Sequence, residues 1–294
     1  MNQLKTVLLL GILSAILVGV GGALGPNALG ISIVLAVVMN VGAYFFSDRI
    51  VLAMHRAQEL TPAEAPELHG TVAELAARAG IPTPRLYLIP EAQPNAFATG
   101  RNPEHAVVAV TSGILEVLDR RELRGVLAHE LAHVKNRDIL VSSIAATVAA
   151  AITHVAHAVG LFGMGSSDDD GPSPAQSLLL AIVAPLAATL IQLGISRSRE
   201  YGADATGAEI SGDPEPLARA LEKLDQAAHA IPAPVQPGTA SLFIVNPFSG
   251  TEGVLNLFST HPSMRERIRR LRAMQVSTGG WQVGARDATF GTGG

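Results

Sequence analysis

Four long apolar stretches constrain this chain more than any other feature of its sequence. They cover residues 4–24, 29–46, 139–164 and 177–195. A run of about 18–21 residues suffices to cross a hydrocarbon core ~30 Å thick at 1.5 Å per helical residue. Gly25-Pro26-Asn27 separates the first two with a turn signal, so they read as a helical hairpin. A Gly/Pro/Ser-rich link, 165–176, carrying Asp168, Asp169 and Asp170, separates the other two. Pro185 falls inside the fourth stretch, where neighbouring helices can take up the backbone groups it releases. The first stretch has one lysine ahead of it and no small-residue cleavage site behind it, so it reads as a span rather than a cleaved signal.

Composition supports the same reading. Only 16% of the 294 residues are charged, whereas a soluble enzyme carries about a quarter. Net charge is −4 with both signs mixed, and no basic run alternates with aromatics, so nucleic acid is not an expected partner. There is no cysteine, which excludes disulfides and thiolate-held metals; a metal must be held by His, Asp or Glu. Neither hairpin link contains Lys or Arg, while the remaining segments hold nearly all of them. The positive-inside rule then places both termini and both hydrophilic segments in the cytosol of a multi-pass cell-membrane protein.

Within those segments, Thr61-Pro62 signals a helix carrying Leu68, Val72 and Leu75 and ending at Gly80. Short β-like runs follow at 85–89, 95–99 and 105–111. A helical pattern begins at Asp119 and runs without a stop signal into the third span. The fourth span continues as helix to about Ile210, Pro214 opens another helix, 214–229, and Pro262 opens a last one. Residues 231–250 read as a Pro/Gly-rich loop and 279–294 as a flexible tail.

His129-Glu130-Leu131-Ala132-His133 is an H-E-x-x-H pattern. On a helix the two imidazoles lie ~40° and ~6 Å apart, close enough to grip one ion. Glu130 then faces the open coordination position, where it can take a proton from water that the metal acidifies. The flanking Arg120-Arg121-Glu122 and Lys135-Asn136-Arg137-Asp138 keep this helix out of the bilayer, where each charge costs about 2.5–3.5 kcal/mol.

A third ligand six residues beyond His133 would be Ile139, which cannot serve. His154 and His157 lie more than ~30 Å further along a straight helix; packing or hydrogen bonding inside the bundle is their expected role. Glu200 leaves the fourth span about as far above the membrane as His133 stands before the third, some 6–10 Å. It is therefore placed to complete the site, with Asp204 one turn on to orient a ligand histidine. The bland alternative is a solvated carboxylate face among Arg197 and Arg199.

The ordered set of motifs resembles the HtpX-type membrane zinc peptidases, bacterial relatives of the prenyl-protein (CAAX) endopeptidases. The resemblance covers nearly the whole chain: two spans, His129-Glu130-Leu131-Ala132-His133, two more spans, then Glu200-Tyr201-Gly202-Ala203-Asp204. It implies one zinc ion held by His129, His133 and Glu200, with Asp204 trailing the glutamate. Asn95-Ala96-Phe97-Ala98 is similar to the family's edge strand, which pairs with the substrate backbone. His261-Pro262 and Arg267 look like its downstream histidine and arginine near the transition state. Among Arg265, Arg267, Arg269, Arg270 and Arg272, the others read as a solvated or lipid-facing basic surface.

The expected fold is a mainly α-helical integral membrane protein: four transmembrane helices plus a cytosolic α+β zincin-like protease domain built from two segments, 47–138 and 196–278. Its expected partners are the bilayer and protein substrates, membrane proteins in particular. The resemblance further implies endoproteolytic quality control of misfolded membrane proteins.

Overall fold

The computed structural model describes residues 2–24, 26–148, 197–230, 244 and 262–279. The described part is mainly helical, with one small sheet. Two long helices, α1 (Asn2–Leu24) and α2 (Pro26–Met54), form the first hairpin. After a two-residue strand β1 (Gln58–Glu59) come α3 (Pro66–Ala79), β2 (Arg85–Ile89), β3 (Ala96–Thr99) and β4 (Val107–Thr111). Then follow α4 (Ser112–Val117), α5 (Arg120–Lys135), α6 (Ile139–Val148), α7 (Arg197–Ser211), α8 (Glu215–Ala230) and α9 (Met264–Gly279).

The sheet order is β1-β2-β4-β3. β2 and β4 are parallel, with Arg85 opposite Val107; the other two pairings are antiparallel, and in the β3–β4 pair Ala96 faces Val110 and Thr99 faces Val107. β3 is thus an edge strand, yet its four residues are buried. The core between the sheet and helices α3, α5, α7 and α8 is aliphatic, built on Leu75, Val108, Val110, Leu127, Leu131 and Leu221.

α3 starts at Pro66 and not at Thr61-Pro62. The Thr61 backbone N–H and hydroxyl both donate to the Glu64 carboxylate, at 2.8 and 2.6 Å, which closes a separate turn ahead of the helix. Its end does fall at Gly80, whose φ of +70° lets its N–H reach the carbonyls of Ala76 and Ala77.

The helix from Asp119 does not run unbroken toward the third span. It stops at Lys135, and Arg137 adopts φ +58°, which turns Asp138 back so that its N–H donates to the His133 carbonyl at 2.9 Å. α6 then starts afresh at Ile139. α8 and α9 begin one and two residues after the prolines expected to open them.

α2 extends beyond the foreseen limit at Phe46. Its last turns bring Val51 and Leu52 against Phe97, Val107 and Ala109 of the sheet. α1 packs Leu9 and Leu13 on Val141, Ile144, Ala145 and Val148 of α6. The rest of the hairpin surface is apolar and outward: Ile31, Val34, Val37 and Val38 are each more than half exposed. Among the described residues one helix, Leu29–Met54, is long and apolar enough to cross a membrane. Most of 139–164, all of 177–195, and His154 and His157 lie outside the described residues.

Candidate metal centre

α5 carries the H-E-x-x-H motif, and its start is fixed by a reciprocal cap. Asp119 Oδ1 accepts from the N–H of Arg121 and of Glu122, while Glu122 Oε2 accepts from the N–H of Asp119. Lys223 of α8 donates to the same Glu122 oxygen at 2.7 Å, locking the cap to the next helix. α7 crosses α5 at backbone contact because residue 207 is glycine: a Cβ there would sit 2.9 Å from His129 Cα and 3.0 Å from His129 N. Only this closeness puts Glu200 and Asp204 beside the two imidazoles.

The resulting cluster has the dimensions of a tetrahedral site. His129 Nε2 and His133 Nε2 are 3.3 Å apart. Glu200 Oε2 is 3.7 Å from His129 Nε2, and Glu200 Oε1 is 3.6 Å from His133 Nε2. Ligand bonds of ~2.1 Å at tetrahedral angles require donors ~3.4 Å apart, so the three donors fit one cation of this kind. His129, His133 and Glu200 are also the one group of three such residues able to hold a metal among the described residues.

Each imidazole has its own carboxylate behind it. His129 Nδ1 lies 3.0 Å from Asp204 Oδ1, and His133 Nδ1 lies 3.5 Å from Asp138 Oδ2. Such partners fix the ring orientation and raise ligand basicity. Asp138 escaped the sequence reading; the signal would have been an aspartate after Asn136-Arg137, where a helix can end. Burial disfavours a charged His133, but the hydrogen bond its Nδ1–H donates to Asp138 and the charges of Glu200 and Glu130 outweigh it and push the ring up to about 9.

Glu130 is 5% exposed, and its Oε2 accepts the N–H of Ala98 on β3 at 2.9 Å. Burial raises its pKa, against the pull of His129 and His133. A base lifted in this way sits closer to neutrality, where proton transfer is most efficient.

Arg267, fully buried, is engaged on every side. Its Nε and Nη2 donate to the two Asp204 oxygens at 2.8 and 2.7 Å, and its Nη1 donates to the Ile244 carbonyl at 3.0 Å. Burial by itself would raise Asp204; the guanidinium holds it well below the usual carboxylate range. The Ile244 N–H in turn donates to Asn95 Oδ1 at 3.2 Å. A continuous polar chain therefore joins Asn95, Ile244, Arg267, Asp204 and His129. The role of Ile244 had no sequence signal, since its main chain and not its side chain takes part.

Asn95 precedes β3 and Ala96, Phe97 and Ala98 lie in it, with the Ala98 N–H on Glu130. His261 lies outside the described residues. Arg269 and Arg270 share Glu266, and Arg272 pairs with Glu215 and Glu222; all three arginine side chains are exposed.

Two histidines and a glutamate around one cation position, with a buried glutamate next to the first histidine, define a metallopeptidase of the H-E-x-x-H type. The model of peptidase family M48 matches residues 62–275. The chain is 58% identical over 281 residues to a protein named protease HtpX homolog from Syntrophobacter fumaroxidans, covering 93% of this chain and 99% of that one. A protein of the same name from Persephonella marina is 56% identical, covering 93% and 98%. This chain belongs to peptidase family M48 and is a metalloendopeptidase. A crystal structure of S. mikatae Ste24p is similar at a TM-score of 0.47 and 21% identity, covering 81% of this chain and 57% of that one.

Proposed function

We propose that this chain is a zinc-dependent endopeptidase held in the cell membrane by four spans, 4–24, 29–46, 139–164 and 177–195. It cuts membrane or membrane-proximal proteins at the cytosolic face, as quality control of misfolded chains. The observation that carries the catalytic part is the triangle of His129, His133 and Glu200 donors, 3.3–3.7 Å on a side, with Glu130 beside it. Support for the membrane part comes from the apolar, outward-facing surface of the first hairpin, which water would not tolerate over such an area. The distribution of Lys and Arg supports the cytosolic orientation. The working parts are the hairpin 1–46, a first protease segment 47–138, the hairpin 139–195, a second protease segment 196–278, and the tail 279–294.

When bound, the zinc ion polarises the scissile carbonyl and makes water acidic. The chain's own residues do the rest. Glu130 accepts the water's proton and passes it to the leaving amine. His261 donates a hydrogen bond to the developing oxyanion, a role worth about 3 kcal/mol. Arg267 donates to Asp204 and Ile244 and also stands 3.6 Å from Glu200 and 3.4 Å from His129, so it holds Asp204 against His129 at the edge of the metal position. Ala96 and Ala98 offer the substrate main chain a strand to pair with.

The test is metal content together with chelator-sensitive cleavage of an unfolded protein by the purified enzyme. Glu130→Gln should keep one zinc per chain and lose cleavage by about 10²–10⁴-fold. A Glu130→Gln variant that still cuts, or a wild-type protein that holds no zinc, refutes the assignment.

A further inference from the structure

β3 runs toward the apolar part of the first hairpin, and the contacts along it fix that direction. At its start, Asn95 is tied to Ile244, next to Arg267. Midway, Phe97 packs with Val51 and Leu52 and touches the ring of His55, all at the far end of α2. Beyond its end, the Arg101 guanidinium stands over the ring of Phe45, 5.7 Å from its centroid. Leu52 lies ~10 Å further along α2 than Phe45, while Phe97 precedes Arg101 in the chain, so β3 and α2 run in opposite directions. The other side agrees. Thr99 Oγ1 and Gly100 N meet Ser143 Oγ, at 2.7 and 3.4 Å, one turn inside α6.

Tyr44, Phe45 and Phe46 are the last large apolar side chains exposed on the hairpin, and the Arg49 guanidinium covers Phe46. Aromatic and arginine residues in this order mark a headgroup boundary. Arg101 therefore sits at the bilayer surface. Ala98, whose N–H meets Glu130, lies three residues short of it, ~10 Å of extended chain.

The register decides which groups can receive a substrate. The Thr111 N–H donates to the Asn95 carbonyl. With the alternation of an antiparallel pair, Phe97 and Thr99 also turn their main-chain groups to β4, while Ala96 and Ala98 turn theirs to the catalytic side. In antiparallel pairing Ala96 exchanges both its N–H and its C=O with a single partner residue, the more stable arrangement per residue, while Ala98, whose N–H donates to Glu130, offers its C=O.

We infer that the enzyme is polar with respect to its substrate's anchor: it cuts chains whose N-terminal side is held in the membrane, a few residues beyond the anchor. A substrate antiparallel to β3 has its N-terminal part alongside Thr99 to Arg101, at the headgroups, and its C-terminal part alongside Asn95, away from them. The new ends are a short stub that stays in the bilayer and a released C-terminal fragment. A chain anchored at its C-terminal side meets the same strand with its anchor pointing away from the lipid. This inference rests on the proposed membrane protease reading and adds a direction to it.

The experiment uses the full zinc-loaded protein in vesicles of phosphatidylethanolamine and phosphatidylglycerol. One flexible peptide sequence is supplied in three forms: acylated at its N-terminus, carrying the same chain at its C-terminus, and without lipid. Both anchored forms gain the same local concentration, so any difference between them reports geometry. The N-anchored peptide should be cut about tenfold or more faster than the C-anchored one, with product masses placing the cut about three to six residues from the anchor. Equal rates, faster cutting of the C-anchored form, or cuts scattered along the chain overturn the polarity. If none of the three is cut, and an unfolded soluble protein is also left intact, the protease reading itself fails. If that protein is cut but no peptide is, the polarity alone falls.

Discussion

The first hairpin and the α5–α7 pair are both helices packed side by side, and they solve opposite problems. α1 turns Leu4, Val7 and Leu8 outward and α2 turns Ile31, Val34, Val37, Val38 and Val41 outward, and among the described residues the Asn40 amide donates to Ser14 Oγ across the pair at 2.7 Å. α5 and α7 bury the sides they turn to each other, meet at backbone distance over Gly207, and gather carboxylates and imidazoles at their crossing. The hairpin can tolerate exposed apolar surface only in a solvent of hydrocarbon. The α5–α7 crossing can tolerate buried charge only when each charge has a partner or a metal. Secondary structure is the same in both; the expected solvent and the expected ion make the difference.

Four substitutions test that contrast. Asp204→Ala takes from Arg267 the nearer of two counter-charges, leaving Glu200 at 3.6 Å, and should cost about 3 kcal/mol, the lower end of the range for breaking a buried pair. A fall of that size should appear in thermal unfolding of the metal-free protein, and adding Arg267→Met to the same chain should return part of it. Val34→Arg places a charge on the exposed face of α2 and should oppose insertion by about 2.5–3.5 kcal/mol. Unchanged partition between membrane and soluble fractions would mean that this face does not meet lipid. Gly207→Ala forces a methyl against His129 and should destabilise by about 1–3 kcal/mol while weakening zinc binding measured by competition with a chelating dye. Asn40→Ala should be the mildest, about 0.6 kcal/mol in detergent unfolding with zinc affinity unchanged, since its bond lies in the hairpin alone.

What the sequence discloses follows the range of the interactions involved. β2 was legible to the residue because a short apolar run ending in a β-branched Ile89 is bounded by Pro84 and Pro90. The end of α3 was legible because glycine alone favours the φ of +70° found at Gly80. The break after Lys135 was not, because it rests on a left-handed arginine, a conformation that local chemistry disfavours and tertiary contacts impose. β1 was missed for a related reason: two residues gain strand character only from pairing with Tyr87 and Leu88. At the centre, helical periodicity and the height of each residue above the bilayer were enough to bring Glu200 toward His129 and His133. Neither consideration reveals that Arg267, 63 residues beyond Asp204, closes on that carboxylate, nor that Gly207 sets the distance between the helices.

The long separation between Asp204 and Arg267 has a consequence for biosynthesis. A nascent chain acquires His129, Glu130, His133 and Glu200 well before the ribosome reaches Arg267. Until then Asp204 lacks its guanidinium and His129 lacks a fixed brace. The scissors are assembled early but riveted last, so a half-made copy emerging among other newborn proteins carries blades that do not yet close.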